Sequence, residues 1–223
     1  MSDKSEYSGG QLSAWRVDVC NQTLKREPVP ESWQHLGGRA LIARILVDEV
    51  PGTCEALGPK NKLLFTPGLL VGHMLSSCDR ISIGGKSPLT GGVKEANAGG
   101  TTGLQMAYLG IKALIVENKP RDQGLWVLRI SSQGASFEPA EDLIGMGVYE
   151  AAPRLIARYG EKVALALIGP GGEMLMSTAG IQNLDKEGVP SRIAARGGLG
   201  ALMASKGLKA IVFDAQGGQK PSL

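Results

Sequence analysis

Apolar residues along this chain recur in two rhythms, every second position or continuously in short runs, and every third and fourth position in longer ones. Residues 14–19 alternate and predict a strand, followed by a polar turn around Asn21 and Gln22 and a short second strand. Residues 33–50 predict the first helix, with Leu36, Ala40, Ile42, Ala43, Leu46 and Val47 close to one face and Pro51-Gly52 ending it. Gly37, Gly38 and Arg39 fall in its first turn, where glycine is costly unless something approaches the backbone closely. Residues 62–66 and 79–84 predict strands, and Lys86-Ser-Pro-Leu-Thr-Gly-Gly92 a turn. Asn97-Ala-Gly-Gly100 predicts a glycine turn that opens a helix to about Leu109, with Gly110 as its cap and a strand over 113–116. Strands follow over 125–131 and around 135–137, then a helix over 148–159 capped by Gly160, then an apolar strand over 163–168 closed by Gly169-Pro-Gly-Gly172.

The last segment copies an earlier one. Gly103-Leu-Gln-Met-Ala-Tyr-Leu-Gly-Ile-Lys-Ala-Leu-Ile-Val116 aligns without gaps on Gly200-Ala-Leu-Met-Ala-Ser-Lys-Gly-Leu-Lys-Ala-Ile-Val-Phe213. Each copy follows a glycine-rich turn, Asn97-Ala-Gly-Gly100 in one case and Ala194-Ala-Arg-Gly-Gly198 in the other. Glycine turns and alanine-rich helices resemble one another by composition, but here Lys112 matches Lys209 and Met106-Ala107 matches Met203-Ala204, which capping does not explain. The chain reads as an internal duplication, two turn, helix, cap and strand units related by a pseudo two-fold.

Length and charge bound the rest. A chain of 223 residues with 43% hydrophobic composition suffices for one large domain, placed at 1–215, with a polar tail over 216–223. Twenty-four Lys and Arg against 21 Asp and Glu leave a net charge of +3, which argues against a nucleic-acid binder. No apolar run is long enough for a membrane span, and residues 1–11 lack the apolar core of a signal peptide, so the expected location is cytoplasmic. Cys20, Cys54 and Cys78 form no Cys-x-x-Cys spacing, and His35 and His73 have no metal-spaced partner; all five read as structural residues. The 32 glycines are about twice the usual ~7% share and imply many close backbone approaches.

A glycine turn opening a helix aims unpaired N–H groups at one point, where the helix dipole favours an anion. Two such turns brought together by a pseudo two-fold suit two phosphates or one paired phosphate ligand, with Asn97 or neighbouring carbonyls on a bridging hard cation. Arg80, Arg192 and Arg196 are placed in sequence to add charge-assisted bonds, although each taken alone reads equally well as a solvated surface residue. The spacing fits neither a P-loop nor a dinucleotide-binding turn.

Several blocks together resemble a known family. Leu36-Gly-Gly-Arg-Ala-Leu41, Asn61-Lys-Leu63, Arg80 with Lys86-Ser-Pro-Leu-Thr-Gly-Gly92, Asn97-Ala-Gly-Gly100 with Gly110-Ile-Lys-Ala113, Ile168-Gly-Pro-Gly-Gly-Glu173 and Ala195-Arg-Gly-Gly198 through Lys209-Ala210 are similar, in order, to the N-terminal domain of tungsten-dependent aldehyde ferredoxin oxidoreductases. The resemblance implies an α+β fold of two packed, mainly antiparallel sheets with a few helices, forming the base for a tungsten (or molybdenum) bis-pterin cofactor. It implies that the backbone carbonyls of Asn97 and Ile193 hold a magnesium ion joining two pterin phosphates. Arg80 and Arg192 would contact pterin or phosphate, and the turns Asn97, Ala98, Gly99, Gly100 and Ala195, Arg196, Gly197, Gly198 would cradle the ligand.

Three departures bear on that reading. Thr101-Thr102 stand where the family carries an aromatic pair, Ala195 stands for a glycine, and the loop 68–78 diverges. The family's helical domains, with their iron-sulfur cluster, lie outside these 223 residues. The expected function is therefore the cofactor-binding part of an aldehyde-oxidising enzyme, completed by a partner chain that carries the cluster and passes electrons to ferredoxin; a homodimer is left open. A noncatalytic pterin carrier or scaffold is the alternative, and an unrelated phosphate-binding α+β domain a third.

Overall fold

The computed structural model describes residues 12–221. In the first half β1 (Ser13–Asp18) turns back as β2 (Thr23–Pro28), and a 3-10 turn (Glu31–Trp33) leads to α1 (Gly38–Glu49). Then come β3 (Leu63–Pro67), β4 (Ile81–Lys86), β5 (Val93–Ala98), α2 (Thr102–Tyr108) and β6 (Ile111–Glu117). The second half runs through β7 (Trp126–Ser131), β8 (Gly134–Pro139), a 3-10 turn (Glu141–Leu143), α3 (Val148–Tyr159) and β9 (Ala164–Leu167). A short α4 (Pro170–Glu173) is inserted before β10 (Ile181–Asn183), β11 (Arg192–Ala194), α5 (Leu199–Ser205) and β12 (Leu208–Asp214).

The halves have one topology. The first sheet is ordered β2-β1-β6-β3-β4-β5 and the second β8-β7-β12-β9-β10-β11, element for element the same. Only the pairs β1 with β6 and β7 with β12 are parallel; every other pair is antiparallel. The duplication thus extends well beyond the copied segment, to the whole of both halves.

Alternation along the strands builds three apolar layers. Val17, Leu63, Phe65, Ile81 and Ile83 meet Leu128, Ile130, Ile211 and Phe213 between the sheets, and Met106 of α2 with Leu199 and Leu202 of α5 joins them there. The outer face of the first sheet packs Leu64, Ala113 and Ile115 against Leu41, Ile42, Ile45 and Leu46 of α1. The second sheet packs Leu165, Leu167 and Val212 against Ala151, Ala152 and Leu155 of α3.

The repeated capping residues now have a reason. Gly110 and Gly207 sit at φ 69° and 70°, a left-handed conformation that glycine adopts without strain. Each offers its carbonyl to the start of the neighbouring parallel strand, from Ser13 N at 2.9 Å and from Trp126 N at 2.8 Å. The repeated lysines do the same work twice. Lys112 Nζ donates to Gln34 O at 2.9 Å and Lys209 Nζ to Met146 O at 3.0 Å, each tying down the loop between the 3-10 turn and the long helix.

Several expectations shift. The first helix starts at Gly38, not Trp33, because Gly37 is extended, at φ −154° and ψ 168°, and its missing Cβ leaves room for Leu69 N, 2.9 Å from where it would stand. Its buried stripe is Leu41, Ile42, Ile45 and Leu46, and Val47 is 76% exposed. Asn97 and Ala98 end the strand β5 rather than lying in the turn, and Arg192 and Ile193 belong to β11. The tail folds back on the first half: Gln219 N donates to Tyr108 O at 3.0 Å, and Pro221 lies against Gly72. Among the described residues no helix is long and apolar enough to cross a membrane.

Candidate functional site

The outer strands β5 and β11 pack against each other, so the duplicated edges meet. In β4 and β5, Ile81 pairs with Ala98 and Ser82 with Asn97; in β10 and β11, Ile181 pairs with Ala194 and Gln182 with Ile193. Asn97 and Ile193 therefore hold the same register position in the two halves. Both are exposed, while Ala98 and Ala194 are buried in the central core.

The first edge is polar. Arg80 Nε donates to Asn97 Oδ1, Asn97 Nδ2 donates to Ser82 Oγ at 3.3 Å, and Ser82 Oγ donates to Glu95 Oε1 at 2.6 Å. Gly99 follows with open space beside it. A Cβ there would find nothing nearer than 3.9 Å, and the atoms at that distance are Arg192 Cδ and Arg80 Nη1. Arg80, Asn97 and Gly99 of the first half are thus brought together with Arg192 of the second. Gly100 turns inward instead: at φ +103°, its missing Cβ would lie 2.1 Å from Leu184 O.

The second edge is built differently. Ala195 and Arg196 are exposed, whereas Gly197 and Gly198 are buried. A Cβ on Gly197 would stand 2.3 Å from Lys94 Cγ, and one on Gly198 2.2 Å from Ser177 O, so these two glycines make room for protein. Ser87 Oγ donates to Gly197 O at 2.7 Å, which fastens the second turn to the first half. Ala195 stays outside the left-handed region, so the alanine sits there without strain. Between β10 and β11, Asp185 is held below the usual carboxylate range, first by the hydrogen bond from Ser191, then by the amides of Val189 and Glu187 and the Arg192 charge, against slight burial.

Sequence reasoning missed Lys94, Ser82, Glu95 and Asn183. Lys94 carries no motif signal, and only the meeting of the two edges places its stem over Gly197. Ser87 lies within the Lys86 to Gly92 block, and its hydroxyl is what links that block to the second turn. Thr102, where the resemblance expects an aromatic residue, is fully buried and bonded to Asn183, so it forms no open floor.

Two matching loops flank these edges. The loop from β3 to β4 exposes Leu69, Leu70, Met74 and Leu75, with Met74 75% exposed; the one from α4 to β10 exposes Met174, Leu175 and Met176, with Met174 at 69%. Both border the turns, through Val71 beside Gly103 and Ser177 beside Gly198. Cys20, Cys54, Cys78 and His73 are each half-buried, and His35 is exposed. Among the described residues no group of three or more His, Cys, Asp or Glu could hold a metal ion.

Comparison with known proteins agrees with this architecture. Residues 14–215 match the aldehyde ferredoxin oxidoreductase N-terminal domain, and the chain belongs to this family. It is 36% identical over 202 residues to the tungsten-containing aldehyde ferredoxin oxidoreductase of Pyrococcus furiosus, covering 89% of this chain and 32% of that one. It is 28% identical over 229 residues to the WOR-like subunit of an aliphatic sulfonate oxidoreductase of the same organism, covering 95% of this chain and 35% of the relative. Among solved structures, the active-site complex BamBC of benzoyl coenzyme A reductase with 1,5-dienoyl-CoA superposes with a TM-score of 0.84 at 30% identity, covering 94% of this chain and 31% of that one. The chain thus spans about a third of the length of the relatives it matches.

Proposed function

We propose that the chain is the cofactor-cradling part of a tungsten or molybdenum bis-pterin oxidoreductase that oxidises aldehydes to carboxylic acids with ferredoxin as electron acceptor. In this reading a partner chain in the cytoplasm carries the helical domains and the iron-sulfur cluster. The observation that carries it is the convergence of Arg80, Asn97 and Gly99 with Arg192 at the meeting of the two sheet edges. The open space at Gly99 between two arginine side chains fits an anionic end of a large ligand, and a carboxylate-based metal site is not what these residues offer. Membership of the family, and relatives named as tungsten-containing, support the cofactor class.

The metal centre, when bound, supplies the two-electron redox chemistry; the protein supplies binding and orientation. Arg80 and Arg192 would hold phosphate oxygens through charge-assisted hydrogen bonds. The side chain of Asn97 is engaged by Arg80 and Ser82, so its backbone carbonyl, with that of Ile193 in the matching register position, would take a magnesium ion. Ala98, Gly100, Ala195, Arg196, Gly197 and Gly198 shape the turns around them. The apolar rim of Met74, Leu75, Met174 and Leu175 would be covered in the assembled enzyme and so keep water from the cofactor.

Elemental analysis and the fluorescence of oxidised pterin test this on the full chain, purified alone and with a co-expressed chain carrying the helical domains. Tungsten or molybdenum, magnesium and two pterins are expected in the complex only, and lost from it in Arg80→Ala/Arg192→Ala. Cofactor on the isolated chain would make it a carrier instead, and none in either state would leave a scaffold and sink the proposal.

A further inference from the structure

We infer that Thr102 and Asn183 are positioning residues that form a strap between the halves and set the distance between the two cradle edges, so that one ligand with two anionic ends engages both; this rests on the function proposed above.

The strap closes a loop of named contacts. Thr102 Oγ1 donates to Asn183 Oδ1 at 2.9 Å, and the Asn183 amide donates to Ile181 O and Arg192 O, each at 3.4 Å. One residue earlier Thr101 N donates to Leu184 O at 3.0 Å, and Gly100 presses on the same carbonyl. The turn that carries Gly99 and the strand that carries Arg192 and Ile193 are therefore held by the buried Asn183 amide beside the Leu184 carbonyl. Arg192 in turn lays its side chain beside Gly99, Cδ 3.9 Å from where a Cβ would stand. Moving the amide would move the first turn and the second edge relative to each other.

Both side chains are fully buried, at 0% exposure. By register and by the copied segment, their counterparts in the other arrangement of the halves are Ile83 and Leu199, both in the apolar central core. The same place is thus filled once with carbon and once with a polar pair. An apolar pair would pack there at no loss of stability, because buried polar groups must first recover their lost hydration. What the polar pair adds is direction: an amide with its acceptor and both donors engaged fixes orientation as well as separation, where apolar contact fixes only proximity. At this register position the polar pair stands on the side of the molecule with Arg80, Arg192 and the open Gly99, and the apolar Ile83 and Leu199 on the other.

The test separates spacing from general loosening by using two probes on the full chain. Inorganic pyrophosphate with magnesium presents two linked phosphates; inorganic phosphate with magnesium presents one. By titration calorimetry, Thr102→Val, which keeps the shape and removes the hydroxyl, is expected to raise the pyrophosphate Kd about tenfold, a loss of about 1.4 kcal/mol, while the phosphate Kd stays within about twofold. Thr102→Ser restores the wild-type ratio, and Thr102→Val adds nothing to Asn183→Leu, since the two act as one unit. Equal weakening of both probes, or an unchanged pyrophosphate Kd, overturns the strap. Should Thr102→Val fail to fold, Thr102→Ala is used in its place.

Hydrogen exchange on the free chain gives a second readout that needs no ligand. Removing the hydroxyl should speed exchange at 101–103 and at 192–194 together while α1 and α3 keep their protection. Acceleration in one segment alone, or in neither, overturns the strap. A wild-type chain that binds neither probe is what a cradle completed only in the complex would show, and the exchange result then decides the strap by itself, while the proposed function is decided by the cofactor content of the complex.

Discussion

The two halves share a backbone and differ in chemistry. Their strand orders, the cap conformations at Gly110 and Gly207, and the lysine hooks of Lys112 and Lys209 coincide. Their side chains do not. On β1, Arg16 bonds Glu27, Glu49 and Glu117 at 3.2, 2.8 and 3.2 Å, and Lys62 bonds Glu49 and Glu117 at 2.7 Å. At the matching place on β7, Arg129 bonds Asp214 at 2.6 Å and lies over the Tyr159 ring, whose hydroxyl donates to Glu138 at 2.8 Å. At the edges the contrast is sharper. Arg80 and Asn97 of the first half correspond to Gly180 and Ile193 of the second. A duplicated fold gives two equivalent loops facing one point. A ligand with chemically distinct surroundings needs the copies to diverge, and here the first half holds the polar side chains while the second sends one arginine across.

The largest effect should come from breaking the contact by which the halves interlock. Gly100→Ala would force a side chain into φ +103° and against Leu184 O, 2.1 Å away, with no flexible group able to yield. A loss of roughly 3–5 kcal/mol in denaturant unfolding is expected, comparable to the severe classes of point mutation. Gly99→Ala, next to it but with its nearest neighbours at 3.9 Å, should change stability by no more than about 0.5 kcal/mol and act on ligand binding alone. Equal costs at the two positions would show that the turn is not divided into an inward and an outward glycine.

The ion-pair nodes give the next largest difference. Arg16→Met leaves three carboxylates with Lys62 and the exposed Lys25 at a part-buried site, where Glu49 is held below the usual carboxylate range by Arg16 and Lys62 against the effect of burial. Loss of about 2–3 kcal/mol is expected there, since removing one partner strands the others. Arg129→Met strands only Asp214, from a side chain 41% exposed, and should cost about 1 kcal/mol. Thermal unfolding of the two variants side by side decides it; an equal loss would mean that the richer node adds no stability.

How much of this can be read from residues alone follows the same division. The copied segment was legible because Gly103 to Val116 and Gly200 to Phe213 repeat turn, helix, cap and strand in one order, each step with its own residue signal. The remaining duplication was not, since Arg16 and Arg129, or Leu64 and Leu165, match by register and not by residue pattern. Strands β10 and β11, three residues each, are too short for alternation to show. The apolar spacing continues through Trp33 and Leu36 and so predicts a longer first helix than forms, while Gly37 and Gly38 break the backbone. Arg80, Asn97 and Arg192 are legible from their places beside the glycine turns, and the family resemblance adds their roles; their convergence depends on which sheet edges meet, and no local pattern encodes that. Lys94, Thr102 and Asn183 act across the halves, over separations that spacing does not report.

The last contrast, smaller than the loss expected at Gly100 or Arg16, concerns a lysine that one half has and the other lacks. Lys206, at the end of α5, is 1% exposed and donates to Gly58 O, Asn61 O and Asn118 O at 3.3, 2.6 and 2.7 Å; its counterpart after α2 is Leu109. Burial, with the nearby Lys62 charge, lowers its pKa from 10.5 to about 8. Between those values the unfolded chain binds the extra proton, so stability rises with pH and is lost as pH falls through the folded value. From pH 8 to 9.5 the gain should be about 1–2 kcal/mol, from a slope of at most about 1.4 kcal/mol per pH unit for one proton. The upper limit of the window keeps clear of Tyr159, whose pKa burial and the Glu138 bond push up to about 12 and whose contribution has the opposite sign above pH 10.0. Lys112, lowered by burial, titrates in both proteins and cancels from the comparison. Lys206→Leu writes the residue of the first half into the second. It should lower stability overall, because the carbonyls it leaves behind lose their donor, and it should flatten this pH dependence relative to the wild type. Parallel slopes in the two proteins would mean that Lys206 is not the titrating group, and that its burial distinguishes the halves in packing alone.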